Sequence, residues 1–206
     1  MIAFAAAIIV VGRVTAASGL HFNVTPSMPL GIYRLAPVPK SGVQRGTFVA
    51  VCAPIDAARL GRRRGYLANG KCAADTEPLL KVVAAVAGDD VTISSRGVAV
   101  NECLLPYSRP LESDSAGRPL SAWPHGRFRL RRGQLWLYAG NDRSWDSRYW
   151  GRVPISEVLA RAQPVVTSKP SASMTKRFFQ DCGLAASSPP PAKTGKWQSF
   201  RSSRDG

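Results

Sequence analysis

A mainly β fold is predicted for this chain from three observations. From Thr47 onward the apolar residues come in short β-prone runs separated by Gly, Pro, Asn and Asp, the punctuation of strands and turns. Helical signals are confined to two short stretches, and no internal repeat is present. A domain of about 150 residues, long enough to bury a core, is framed by an apolar N-terminal segment and a polar C-terminal one.

The elements follow in chain order. Met1 to Val11 is almost continuously apolar before Arg13 interrupts it, whereas a full membrane span needs about 20 residues. Residues 1–20 therefore read as a membrane anchor or signal segment; an arginine toward one end of it would snorkel to the interface, and Ala16, Ala17 and Ser18 would suit a cleaved signal. Residues 21–168 form the globular domain. Its predicted strands are 47–51, 79–86, 91–93, 98–100, 128–130 and 135–138, with short helices at Ile55 to Leu60 and at Ser156 to Arg161, where Ser156 is placed to cap. Residues 169–206, rich in Ser, Pro, Lys and Arg and carrying Pro189-Pro190-Pro191, lack the apolar content to fold alone and read as a disordered tail. Phe178-Phe179 and Trp197 could dock on a partner, although scattered aromatics in such a tail are more often incidental.

Three segments carry chemistry: Asn23-Val24-Thr25-Pro26-Ser27-Met28-Pro29, Leu79-Leu80-Lys81-Val82-Val83, and Asn141 to Gly151. A lysine acts as a base at neutral pH only if its pKa falls by about 3 units, which burial among apolar side chains achieves. Leu79, Lys81 and Val83 share one face of an extended strand, so that face would desolvate the amine. A neutral Lys81 could then take the proton of Ser27, as histidine does in other serine enzymes. His21 and His125 lack flanking motifs that would orient an imidazole. Cys52, Cys72, Cys103 and Cys182 are too scattered for a metal knuckle, so neither metal nor cofactor is expected.

Each signal alone has a structural explanation. A serine between prolines is ordinarily a loop serine, and a lysine in an apolar run ordinarily snorkels to water. Asp146 and Arg148, two apart on an extended segment, would form a structural ion pair. Their conjunction in this order favours the catalytic reading.

With Ser27-Met28-Pro29, Leu79 to Asp89 with its Gly-Asp turn, and the Ser144 to Gly151 box, the chain from about Gly19 to Thr167 resembles the signal peptidase I family. More narrowly, Pro26 to Arg34, Arg64-Gly65-Tyr66-Leu67 through Cys72, Ser108-Arg109-Pro110-Leu111 and Asp114 to Leu120 resemble the conjugative-transfer peptidases of the TraF type, which process a pilin subunit and in some systems close it into a ring. The resemblance implies a β-sheet peptidase in which Ser27 is the acylated nucleophile and Lys81 the general base. It further implies that Thr25 and the backbone N–H of Ser27 form the oxyanion hole, that Ser144 holds the lysine amine, and that Asp146 and Arg148 brace the site. Many members place arginine after the lysine; here Val82 stands, expected to deepen the apolar setting of Lys81. Ala87 stands where proline is frequent in the Gly-Asp turn, and the box opens Tyr138-Ala139-Gly140-Asn141.

The expected partners are a precursor protein, either a pilin or a secretory preprotein, and the membrane. The expected location is the inner membrane with the catalytic domain on its periplasmic or extracytoplasmic side, since an anchor ending just before Ser27 would hold the nucleophile where cleavage sites emerge. Four cysteines suit an oxidising compartment; Cys52 and Cys72 bracket an Arg-rich insertion and could close it by a disulfide, while Cys103 and Cys182 need not pair. The net charge of +15, from 28 basic and 13 acidic residues, raises the possibility of a nucleic-acid-binding protein through Arg62-Arg63-Arg64 and Arg127, Arg129, Arg131 and Arg132. No nucleic-acid-binding signature accompanies them, and anionic lipid is the more natural counterpart. The same residues are also compatible with a general signal peptidase that has many clients, and with an inactive binding module that keeps the fold.

Overall fold

The computed structural model describes residues 19–168, 179–180 and 182–183. The strands are β1 (Leu20–Asn23), β2 (Gly31–Ala36), β3 (Phe48–Val51), β4 (Asn69–Cys72), β5 (Leu79–Ala85), β6 (Asp90–Ser94), β7 (Gly97–Val100), β8 (Cys103–Leu104), β9 (Gly126–Arg129), β10 (Gln134–Tyr138), β11 (Val153–Pro154) and β12 (Val158–Thr167). Helix α1 (Ile55–Arg63) follows β3, and a single-turn helix α2 (Ser147–Trp150) follows β10. Asp56 in the first turn of α1 and Arg62 and Arg63 in the last match the sign of its macrodipole.

Seven strands form one sheet in the order β1-β2-β12-β3-β5-β10-β11, and a smaller sheet has the order β8-β7-β6-β9. All the pairings are antiparallel. Alternation along β5 divides the interior in two. Leu80, Val82 and Ala84 join Trp136, Tyr138 and the side chains of β6 and β7 in the cluster that unites the sheets. Leu79 and Val83 face the other way, toward Val49, Leu137, Ala58, Leu67 and Trp150. With apolar matter on both sides, β5 is buried at every position after Leu79, which is why it reads as an unbroken apolar run. Lys81 shares the second face. The turn after β5 is tied by Asp89, whose carboxylate accepts from the Val86 amide at 2.9 Å, Arg45 at 2.8 Å and Asn101 at 2.8 Å.

Several expectations are corrected. Residues 156–161 are not a helix. Only Ile155–Glu157 make a 3₁₀ turn, without a side-chain cap, and from Val158 the chain is a strand hydrogen-bonded to β2 on one side and β3 on the other. Sheet pairing on both edges outweighs the weak helical preference of those residues. The Asp146–Arg148 segment is not extended: Asp146 caps α2 by accepting from the Arg148 amide. Val82 faces the cluster opposite Lys81 and so does not line the amine's surroundings. The tail is not wholly separate, since Phe179 is 3% exposed within the first cluster and Cys182 is bonded to Cys103, with Cα atoms 6.0 Å apart.

The predicted N-terminal segment lies outside the described residues except for Gly19 and Leu20, the latter opening β1. Most of the tail also lies outside them. Among the described residues no helix is long and apolar enough to cross a membrane.

Candidate active site

The β1–β2 hairpin carries the serine. Its loop runs from Val24 to Leu30 and is anchored by Met28, which is 4% exposed in the cluster between the sheets. Pro26 and Ser27 form a turn at the tip of this loop, and with Met28 buried beneath it Ser27 lines the cavity beside it. Tyr33 of β2 donates its hydroxyl to the Pro29 carbonyl at 2.8 Å, and Asn141 donates to the Pro26 carbonyl at 3.3 Å. The loop is thereby held from the β-sheet side and from the Asn141 box.

Lys81 sits at the centre of β5, opposite Val49 of β3, and is 1% exposed. Burial lowers its pKa from 10.5 to about 8; nearby Asp146 opposes the fall and Arg148 adds to it. Ser27 and Lys81, together with Thr25, Asn141 and Ser144, line one cavity of about 460 Å³. The other end of that cavity is walled by Tyr66, Leu67, Leu111, Leu120, Trp145 and Tyr149. A serine hydroxyl and a desolvated amine lining one cleft are an arrangement compatible with acyl transfer without histidine. His21, half-buried on β1, has a pKa lowered chiefly by burial, with Glu77 opposing, and His125 does not line the cavity.

Asp146 and Arg148 are both 1% exposed and meet in a two-pronged pair, Arg148 Nε to Asp146 Oδ1 at 2.9 Å and Nη2 to Oδ2 at 3.0 Å. The guanidinium also donates to the carbonyls of Tyr107 at 2.9 Å, Asp142 at 3.0 Å and Asn141 at 2.9 Å. Asp146 Oδ2 accepts from the Ala139 amide at 3.2 Å. The pair therefore stitches the Asn141 box to the 105–110 segment, with every charge-bearing group satisfied. Its field reaches Lys81 without pairing with it. Ser144 is 2% exposed, and its hydroxyl has no hydrogen-bond partner. It faces the same cavity as Lys81, although the bond to the amine that the resemblance implies is not formed.

Thr25 Oγ1 lies 3.3 Å from Ser27 Oγ and donates to Asn23 Oδ1 at 2.9 Å. Asn23, 6% exposed at the end of β1, is a site residue that sequence reasoning misses. The local signal is an asparagine two residues before a threonine, the spacing of an Asx turn. The amide's other contacts, across the loop to Met28 and Pro29, depend on the fold.

Two distant phrases meet at the far wall. Tyr66 donates to Asp114, whose carboxyl, despite burial, is held well below the usual range by hydrogen bonds from Tyr66 and Arg118. Arg64 donates to the Pro119 carbonyl at 2.8 Å and Arg118 to the Arg64 carbonyl at 3.1 Å. Cys52 and Cys72, with Cα atoms 5.5 Å apart, form a disulfide across the base of this insertion.

The model of the family described as signal peptidase, peptidase S26, matches residues 1–167. The plasmid transfer protein TraF of Escherichia coli is 35% identical over 152 residues, covering 73% of this chain and 84% of its own. The conjugal transfer protein TraF of Agrobacterium tumefaciens is 36% identical over 168 residues, covering 80% and 93%. A crystal structure of a signal peptidase I from Enterococcus faecalis is similar at a TM-score of 0.32 and 18% identity, covering 60% of this chain and 97% of that one. Matched along almost all of its folded part, and with relatives that align over most of their own length, the chain belongs to the signal peptidase family S26 and within it to the TraF type.

Proposed function

We propose that this peptidase is a membrane-associated serine endopeptidase with a Ser27/Lys81 dyad that removes the leader of a conjugative pilin precursor. The observation that carries the reading is the shared cavity of Ser27 and a buried Lys81 whose pKa lies at about 8. At neutral pH about one molecule in ten then holds a neutral amine, enough for a general base.

Neutral Lys81 takes the proton of Ser27 as Oγ forms a bond to the scissile carbonyl carbon. The resulting oxyanion is held by the Ser27 amide and Thr25. Protonated Lys81 then delivers its proton to the leaving amine as the C–N bond breaks, leaving an acyl-enzyme on Ser27. Water resolves it to a linear product, with Lys81 again taking and returning the proton. Ring closure would instead require a cut on the C-terminal side of the retained chain, so that the pilin itself is the acyl group on Ser27 and its own N-terminal amine attacks in place of water. Ser144 positions the lysine amine, and the Asp146–Arg148 pair braces the box that carries Ser144.

On this reading residues 1–20 anchor the enzyme in the inner membrane, residues 21–168 form the periplasmic-side catalytic domain, and residues 169–206 form a tail tied back at Phe179 and Cys182. The names of the relatives, which refer to plasmid and conjugal transfer, favour a pilin over a broad set of secretory clients.

The test is cleavage of a co-expressed pilin precursor by the wild type, Ser27→Ala and Lys81→Ala, with product mass recorded. Both substitutions should abolish processing. A product one water lighter than the linear mature chain identifies ring closure, and processing that persists in either variant overturns the dyad.

A further inference from the structure

We propose that Asn23 is a positioning residue for the reaction, setting through Thr25 the direction of the hydroxyl chain that ends on Ser27. This rests on Ser27 being the nucleophile. The Asn23 amide nitrogen faces three carbonyl oxygens, of Thr25 at 2.9 Å, Met28 at 3.0 Å and Pro29 at 3.0 Å. Carbonyls only accept, so the NH₂ group must lie on that side and Oδ1 on the other. There Oδ1 meets the Thr25 amide at 3.3 Å and the Thr25 hydroxyl at 2.9 Å.

An amide oxygen has no proton to give, so the single hydroxyl proton of Thr25 points to Asn23. At the 3.3 Å contact between the two hydroxyls, Thr25 therefore accepts and Ser27 donates. The chain runs from Ser27 through Thr25 to Asn23.

Two consequences follow for catalysis. In the resting enzyme the Thr25 hydroxyl is already engaged, and it becomes an oxyanion donor only by exchanging a neutral amide oxygen for a charged one. Such charge-assisted bonds are the stronger, so this contact strengthens as negative charge develops, which is the condition for lowering a barrier rather than merely binding substrate. The Ser27 hydroxyl is also kept on Thr25 while Lys81 is an ammonium, which has no lone pair to accept it. It is released toward Lys81 when the amine becomes neutral.

The test is a double-mutant cycle on the full chain with a precursor peptide, reading kcat and KM separately for wild type, Asn23→Ala, Thr25→Val and the double variant. Thr25→Val should lower kcat about 100-fold, the loss typical of one oxyanion donor, and Asn23→Ala by a similar factor, with KM within about threefold in both. Because Asn23 acts through Thr25, the double variant should be no worse than the poorer single one by more than about threefold. Losses that multiply would make Asn23 an independent brace and overturn the proposal, as would Asn23→Ala at wild-type kcat. If Asn23→Ala does not melt cooperatively, Asn23→Ser, whose hydroxyl can still accept from the Thr25 amide, replaces it in the same cycle. Ser27→Ala is run alongside: turnover in that variant removes the dyad reading itself, whereas a dead Ser27→Ala with multiplying losses removes only the role of Asn23.

Discussion

A lysine buried to 1% exposure destabilises the fold that holds it, and the size and sign of that penalty can be measured. Folding lowers the pKa of Lys81 from 10.5 to about 8. Between those values the unfolded chain binds more protons than the folded one, so stability rises as pH climbs from 8 to 10.5; below 8 the penalty is fully present. It amounts to about 3 kcal/mol. Lys81→Met should therefore be inactive yet melt at a higher temperature at pH 7, with the advantage over wild type shrinking as pH approaches 10.5. Thermal melts across that range check it. If Lys81 is the general base, as proposed, kcat/KM of the wild type should increase with pH and level off with an apparent pKa near 8. The neighbouring ion pair behaves oppositely, because neither member is free to change alone. Arg148→Met leaves Asp146 buried without its counter-charge and should destabilise by about 3–5 kcal/mol. Denaturant unfolding should find Asp146→Asn combined with Arg148→Met less damaged than Arg148→Met.

At the scale of elements, the hairpin bearing Ser27 depends on how closely β12 approaches β2. Gly31 has φ of +144°, and a Cβ there would lie 2.1 Å from the Val166 carbonyl oxygen. The register of β12 shifts between Pro164 and Val166 beside it. Gly31→Ala forces a strained backbone costing about 1–3 kcal/mol, in addition to the clash. Calorimetry should show a lowered Tm, and kcat should fall further than the folded fraction accounts for, because the displaced strand begins four residues after Ser27. The α1 insertion is the second element on which the site leans. Its Tyr66 and Leu67 line the cavity, and the Cys52–Cys72 bond closes 20 residues of chain around it. Replacing both cysteines by serine should cost about 3 kcal/mol by loop entropy. In a precursor assay KM should increase more than kcat falls, since the far wall loosens while Ser27 and Lys81 keep their own supports.

For the molecule as a whole, the net charge of +15 stands after every acidic residue is counted, and several of the arginines that carry the basic clusters have intramolecular partners. Arg127 and Arg129 both pair with Asp90, Arg64 reaches Asp114 and Pro119, and Arg62 donates to Asn69 and the Asp75 carbonyl. These arginines have partners within the chain, and no nucleic-acid-binding motif accompanies them. Filter binding to DNA and RNA should show no steep salt-dependent affinity of the kind that many phosphate contacts produce. The second disulfide ties in the C-terminal side as well: Cys182 is joined to Cys103 and Phe179 packs in the core, so these two residues belong to the domain that carries the site.

What could be read from the sequence was whatever is local or repeats a pattern. Apolar runs marked β5, β6, β7 and β10. Ser27, Lys81 and the Ser144 to Gly151 box stood out because their residue types are unusual where they occur. The alternation along β5 was enough to put Lys81 on a face with Leu79 and Val83. Residues 156–161 were misread because their helical signal is weak and the strand they form exists only between two distant partners. The role of Asn23 was decided by tertiary structure for the same reason, whereas the opposite facing of Val82 follows from the alternation along β5 itself. An amide's value depends on which carbonyls the chain brings within hydrogen-bond reach, and a side chain's setting depends on which layer covers its face. The sequence by itself determined the chemistry available to this protein, since residue type sets what can donate, accept or lose a proton. Only the folded structure decided which of those groups face one another, because contacts such as Asn141 to Pro26, 115 residues apart, have no local cause.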